Sequence, residues 1–392
     1  MSQNLKKQQI QLKKLNYLLP LVAIGTVADC QSVLENTNRL LIKAGLSLFE
    51  NTPITGLSLL LDQTKLAKNY TINEKLLLSS SELGFYLSPI LNASGRISHA
   101  ELSIRVLLPE TFKSNNFTNL NKEFDTNNLK DLVAELVETN IKRKEMVKNI
   151  LETLEIINNP DEAIIWVEGD LNKGIVGLLA SRIVNIYDKP VFIVDTSSLT
   201  GSARSPEGFH IPEALKKCNP KYFEKFGGHP QAAGFTASSL ENLVFIKQEL
   251  NENIRTQKDQ FTNQEKPSFK PQSLEIPSEW QDLEYKKEII WLTENEITAE
   301  LIAEIFSLDP FGQDFPMPLL AFCIDKPEIN FLANKHIQIF VNKDIKTILF
   351  NPDDDLLPLG KKNWILAKPN KNIWNNKISY QLIIEKILKI ED

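Results

Sequence analysis

The sequence predicts a multidomain α/β protein that ends in a small β-rich barrel. Three observations carry this expectation. The segment AIIWVEG, GIVGLLASRIVNIY, PVFIVDT has the strand–helix–strand pattern of a βαβ unit. A long amphipathic helical pattern, Lys122 to Ile157, precedes it. After a polar stretch rich in Gln, Asn, Lys and Pro, short alternating runs such as HIQIFV, IKTILF and YQLIIEKI read as strands of a five-stranded barrel. At 392 residues the chain suits two or three domains, and 42% hydrophobic with 24% charged residues is the balance of a folded, core-forming protein.

In chain order, residues 1–60 open with a Lys/Gln-rich lead and the apolar run YLLPLVAIGTVAD, which reads as a strand ending in Gly25, Thr26 and Asp29. A helix candidate, Thr37 to Ala44, follows it. This stretch looks like the last strand and helix of an α/β domain, a remnant, because a parallel sheet cannot consist of one strand. An edge at Leu21 to Thr26 would then need a partner strand. Residues 61–158 form a connecting helical region, interrupted by SPILNASGR. After the turn Asn158-Asn159-Pro160, residues 159–252 make the second α/β domain, residues 253–277 a linker, and residues 278–392 the barrel. No internal repeat is visible.

Composition excludes several classes. No apolar run approaches the ~20 residues of a membrane-spanning helix, and the amino terminus lacks a secretory pattern, so the expectation is a cytoplasmic protein with no membrane partner. The formal net charge of -6 gives no general attraction to nucleic acid, so any DNA contact must use a local groove. Cys30, Cys218 and Cys323 have no C-x-x-C spacing and read as buried or incidental thiols.

Two short segments carry phosphate chemistry. In Gly227-Gly228-His229, read as a loop, glycines let backbone N–H groups approach an anion and the imidazole adds a donor. Gly201-Ser202-Ala203-Arg204-Ser205 adds a hydroxyl and a guanidinium able to fork onto two phosphate oxygens. The segments lie about 25 residues apart, so one helix could bring them to one face. They would grip backbone and not base edges, so binding would be indifferent to sequence. Each residue also has a plainer role. A Gly-Gly-His run is often only a turn, Asp29 could cap a helix amino terminus, Arg96 could cap a helix or pair with a carboxylate, and His99 and His210 read as hydrogen-bonding histidines.

Four segments in order resemble the RecJ family of single-strand-specific DNA exonucleases, within the DHH phosphoesterase superfamily. VAIGTVAD is similar to a family motif whose last aspartate binds the catalytic metal, here Asp29. SPILNASGR resembles P-R-L-N-A-A-G-R, represented by Pro89, Leu91, Asn92, Gly95 and Arg96. KGIVGLLASRI, GSARSPEGFHIPEAL and FGGHPQAAGF resemble the phosphate-gripping DHHA1-type domain, and LDPFGQDFPMPLL resembles the opening of an OB-like single-strand-binding barrel. The resemblance implies metal-dependent 5′-to-3′ hydrolysis of single-stranded DNA in repair and recombination, with Mn2+ or Mg2+ as cofactor. It implies phosphate or DNA contacts by Asn92, Arg96, Gly201, Ser202, Arg204, Gly227, Gly228 and His229. In the barrel, Phe311, Phe315, Phe340 and Trp374 are candidates for base stacking, although most aromatics of small barrels are core.

The departures are specific. Asn172 stands where the family usually has histidine and Ile90 where it has a basic residue, whereas Asn38, Arg39 and Gly234 are retained. The family holds two cations with an Asp-rich motif and a D-H-H triplet, and this sequence has no D-H-H. Asp353-Asp354-Asp355 reads as an exposed loop. The expectation is a truncated or split form that is catalytically incomplete alone, with a separate DHH-domain polypeptide as a candidate partner. The alternatives are a non-catalytic single-strand-binding or regulatory subunit, and an oligonucleotide phosphoesterase, against which the barrel argues.

Overall fold

The structure is a computed structural model that describes residues 16–52, 54–108, 126–261, 289–325, 327–332, 336–342, 345–352, 362–374 and 377–390. The chain divides into two compact units, one of residues 1–89, 107–124 and 266–392, the other of residues 90–106 and 125–265. The first unit opens with helices α1 (Leu19–Ala28), α2 (Asn36–Ser47) and α3 (Thr55–Gln63). The strand expected over Leu18 to Ala28 is therefore a helix. An unbroken apolar run has neither period, so it cannot separate a buried strand from a buried helix. Pro20 sits in the first turn, where its missing N–H costs nothing, and the Thr26 hydroxyl donates back to the Val22 carbonyl at 2.7 Å. Helical backbone satisfies itself, so the need for a partner strand disappears. Helices α1 and α2 meet at Gly45, where a Cβ would stand 2.4 Å from the Leu19 carbonyl oxygen.

The second unit begins with helices α4 (Ser88–Ile97) and α5 (Glu101–Leu107), tied by a 2.7 Å contact between the buried Ser94 and Ser103 hydroxyls. The long helix α6 spans Thr126–Thr153, and residues 122–125 of its expected start lie outside the described residues. The sheet comprises β1 (Ile165–Gly169), β2 (Val191–Asp195), β3 (Thr200–Arg204), β4 (Phe223–His229) and β5 (Ala232–Ala237), in the spatial order β1-β2-β3-β5-β4. Strands β1 and β2 are parallel, joined by helix α7 (Val176–Tyr187), and the remaining pairs are antiparallel.

Both faces of β2 are buried. Val191 and Ile193 pack with Leu179, Ala180 and Ile183 of α7 and Val147 of α6. Phe192 and Val194, one residue out of phase, pack with Ala203, Phe235, Leu215 of helix α8 (Ile211–Lys217) and Ile246 of helix α9 (Asn242–Phe261). Helix α9 runs on to Phe261, so residues 253–261, expected as linker, are helical, and residues 262–277 lie outside the described residues.

The two segments expected as loops are strands: GSAR is the end of β3 and FGGH the end of β4. Glycine hides the period-two pattern because it leaves no side chain to alternate. Gly228 adopts φ +147, and a Cβ there would stand 2.3 Å from the Ala232 carbonyl oxygen.

The first unit closes with helix α10 (Ala299–Ser307), started by Thr298, and strands β6 (Ile289–Trp291), β7 (Leu319–Asp325), β8 (Ile329–Leu332), β9 (His336–Phe340), β10 (Lys346–Phe350), β11 (Lys362–Trp374) and β12 (Lys377–Ile390). Their order is β8-β9-β10-β12-β11-β7-β6, with β10 parallel to β12. Strand β7 pairs with β11 and strand β8, the next along the chain, pairs with β9, and the sheet packs around Phe322, Ile337, Ile339 and Ile365. Of the proposed stacking residues, Phe311 is buried and stacks on Phe315 at 5.5 Å, and Phe315 lies 4.9 Å beneath the Arg39 guanidinium. These two pack the barrel's entry segment against the helices. Phe340 is half-buried, and the Trp374 side chain and Asp353–Asp355 lie outside the described residues.

Gly228→Ala is expected to lower the thermal midpoint by several degrees, for a loss of about 1–3 kcal/mol. Gly227→Ala, with nothing within 4 Å of the new Cβ, is expected to be far milder. Circular-dichroism melts of both variants check the contrast.

Candidate nucleic-acid interface

Residues directly opposite in adjacent strands share a face, so the register assigns the site. Ser202 of β3 faces Gly234 of β5, which faces Gly227 of β4. One rung along, Arg204 faces Ala232, which faces His229. Ser202, Arg204 and His229 therefore project from one side of the sheet, the side on which α7 covers β2 and β3. Beyond β3 the floor is almost bare, with glycine at 227 and 234 and alanine at 232. A cavity of about 290 Å³ lies here, and Thr200, Lys225, Gly227, Gly234 and Thr236 contribute to its lining.

Cations gather beside this floor. Arg204 is half-buried and donates to its neighbour's carbonyl, Ala203, at 2.8 Å and to the Ser202 hydroxyl at 3.4 Å. Gly177 in the first turn of α7 lets the helix approach: a Cβ there would stand 3.1 Å from Ser202 Oγ and 3.3 Å from Arg204 Nη2. Arg96, near the end of α4, donates to the Gly174 carbonyl at 3.3 Å, and a Cβ on Gly174 would stand 1.9 Å from the Arg96 carbonyl oxygen. Arg143 of α6 donates twice to Asn140 Oδ1, at 2.9 and 3.2 Å.

Burial lowers the pKa of Arg96, Arg143 and Arg204. Arg96 lowers that of Arg204 further, and Arg96 with Arg182 that of Arg143. Guanidinium groups stay charged at any accessible pH, so these shifts express first the cost of desolvating the cation and, at Arg143 and Arg204, the added repulsion of neighbouring arginines. Among the described residues no carboxylate pairs with Arg96, Arg143 or Arg204. A partly desolvated cation cluster without carboxylate partners has the chemistry to take an anion.

The loop that leads into α7 is held by Asp195. Its buried carboxylate accepts from the Leu171 amide at 3.1 Å, the Ser197 amide and hydroxyl at 3.3 and 2.9 Å, and the Ser198 amide and hydroxyl. Burial raises this carboxyl's pKa, but the donors outweigh it and hold it below the usual value. Asn172, at the family's histidine position, accepts from the Gly174 amide at 2.8 Å and so shapes the same loop.

Of the other expected residues, Asn92 is exposed on α4, and Gly228 faces the opposite side of β4 from His229. Gly201 also faces the opposite side, where a Cβ would stand 2.3 Å from the Phe235 ring, so its smallness serves packing. His210 caps α8, accepting from the Glu213 amide at 3.3 Å, and His99 is exposed. Ile90 is buried.

Asp29 belongs to the first unit. It lies at the carboxyl end of α1, not at a helix amino terminus, so the expected capping role does not apply. A negative charge there opposes the helix dipole by roughly 0.3–1 kcal/mol. The exposed carboxylate accepts from Gln31 Nε2 at 2.6 Å. Among the described residues no three His, Cys, Asp or Glu side chains group as metal ligands, so these residues do not by themselves fit a two-cation centre.

Residues 161–256 match the DHHA1 domain and residues 290–386 the RecJ OB domain. The chain is 30% identical over 388 residues to the single-stranded-DNA-specific exonuclease RecJ of Bacillus subtilis, covering 94% of this chain and 43% of that protein. It is 28% identical to RecJ of Escherichia coli, covering 98% of this chain and 63% of that one. The chain resembles the carboxy-terminal portion of RecJ. RecJ of Thermus thermophilus, solved with Mn2+, shares the fold with a TM-score of 0.71 at 23% identity, over 96% of this chain and 50% of that one. The chain thus spans about half the length of the RecJ proteins it matches. The cation cluster and bare floor lie in the DHHA1 match, apart from Arg96 and Arg143, which precede it. Among the described residues no helix is long and apolar enough to cross a membrane.

Inorganic phosphate is expected to raise the melting temperature above that in chloride of equal ionic strength, and Arg204→Gln to cancel most of the rise. Equal shifts in both proteins would contradict the anion site. Asp195 gives a pH signature. Its folded-state pKa lies below that of the unfolded chain, so its contribution is complete above about pH 4 and drains as the pH falls further. Asp195→Asn is expected to melt lower than the parent at pH 7 and to lose less on acidification.

Proposed function

We propose that this chain is the strand-gripping part of a RecJ-type, single-strand-specific 5′-to-3′ DNA exonuclease acting in cytoplasmic DNA repair and recombination. The reading is carried by one observation: Ser202, Arg204 and His229 share one sheet face over a glycine floor, beside arginines that no carboxylate among the described residues neutralises. Charge-assisted hydrogen bonds from Arg204, Arg96 and Ser202 would take phosphate oxygens, and the imidazole of His229 would add a donor across the floor. The bare backbone at Gly227 and Gly234 would admit the sugar–phosphate chain without reading bases. The barrel supports the same substrate class, since an OB domain binds single strands along a groove. Asn92, Gly201 and Gly228 are kept as candidates for the strand contact, on the resemblance rather than on side-chain geometry.

Hydrolysis in this chemistry needs Mn2+ or Mg2+ and a full ligand set, to which Asp29 would contribute one carboxylate. The remaining ligands would come from a DHH-type polypeptide segment, continuous with this chain or separate. The non-catalytic reading, a single-strand-binding subunit, draws support from the solitary position of Asp29 among the described residues.

Fluorescence anisotropy with labelled single strands tests the grip. Arg204→Gln is expected to weaken binding about 10- to 100-fold, the value of roughly 1.5–3 kcal/mol for a hydrogen bond to a charged group. Binding should also fall steeply with salt. A manganese-dependent nuclease assay separates the two roles. Binding without cleavage is expected from this chain alone, with cleavage appearing when a DHH-bearing polypeptide is supplied. Cleavage by the chain alone that Asp29→Ala abolishes would contradict the shared-centre reading.

A further inference from the structure

Away from the glycine floor, helices α6 and α7 leave a seam between them with a cavity of about 590 Å³. Its rim carries Arg143, Lys144 and Lys148 from α6 and Arg182 from α7, against the single carboxylate of Glu152. That carboxylate sits 3.6 Å from Lys148 in a pair whose side chains are 72% and 62% exposed, an arrangement of little energetic weight. The seam is therefore strongly positive in a chain whose formal net charge is -6. Its floor is aliphatic, from Val147, Leu151 and Leu178, and among the described residues no aromatic ring lines it. The seam also joins the cation cluster described above. Arg143 stands in the field of both Arg96 and Arg182, and Arg96 in turn acts on Arg204.

We infer that the α6–α7 seam is a second phosphodiester track, which takes the sugar–phosphate backbone of a single strand whose neighbouring phosphates occupy the Arg204–His229 face. This rests on the reading of that face as a strand grip. The chemistry commits to backbone and not to bases: the rim supplies point charges and a guanidinium fork, the floor suits the apolar side of a sugar, and stacking rings are lacking among the lining residues. Such a track lengthens the footprint on the strand without adding sequence preference.

The test uses the full chain, a long oligo-dT strand and a dT dinucleotide with a 5′ phosphate. The double variant Lys148→Gln, Arg182→Gln changes exposed side chains, and its unchanged melt confirms folding. It is expected to bind the long strand several-fold more weakly. The slope of log affinity against log salt should fall by about 1.4, from two lost contacts at ~0.7 each. Dinucleotide binding should be unaffected. Arg204→Gln should weaken both ligands. Unchanged affinity and slope for the long strand in the double variant, with Arg204→Gln still weakening it, would overturn the track and leave the grip standing. No effect of Arg204→Gln on either ligand would remove the grip and the track with it.

Discussion

The antiparallel register of β3, β5 and β4 is the constraint on which the rest depends. Side chains alternate strictly across a sheet, so slipping β4 by one residue against β5 would turn His229 to the core side and break its alignment with Arg204. The register is locked from the far face. Phe235 fills the space left by Gly201, with Trp166 stacked at 6.2 Å and Phe223 edge-on at 5.7 Å. Gly228 lets the β4 backbone take a conformation that a Cβ would clash out of. Residues of the far face thus decide where Arg204 and His229 point.

On the face that carries Ser202 and Arg204, close helix approach and uncompensated charge oppose each other. Gly177 and Gly174 allow α7 and its preceding loop to close on Ser202, Arg204 and Arg96, and this closeness is what desolvates the guanidinium groups. Like charges held together in a partly dry site raise the free energy of the fold, and on the proposed reading a polyanion would relieve it. Asp195 points its carboxylate into the loop's own amides and hydroxyls instead of towards these arginines, so it orders the site without neutralising it. Local destabilisation of this kind is common where a protein binds a charged ligand.

Much of this was legible in the residues. The βαβ pattern and the late alternating runs fixed the mixed α/β class and the terminal barrel, since periods of two and 3.6 survive whenever side chains are present to show them. Legibility failed where that signal was missing. Gly227-Gly228 and Gly201 carry no side chain, so two strands read as loops. The run from Leu18 to Ala28 is apolar at almost every position, so a helix read as a strand. Residues 253–261 are polar because they lie late on an amphipathic helix, not because they form a linker. Arg143 stands among the lysines of α6, and only tertiary proximity to Arg96 and Arg182 sets it apart. Ser202, Arg204 and His229, by contrast, stand out in the sequence by their chemistry, and the fold brings them to one face.

The central claim concerns a face, and adjacent alanines report on faces. Ala232 lies between Arg204 and His229, while Ala233 points into the core with Phe235 and Ala203. Methyl-labelled alanine spectra recorded during addition of a short 5′-phosphorylated oligo-dT should move the Ala232 resonance in proportion to occupancy and leave Ala233 nearly still. A shifted Ala233 with an unmoved Ala232, or binding that moves neither, would contradict the account.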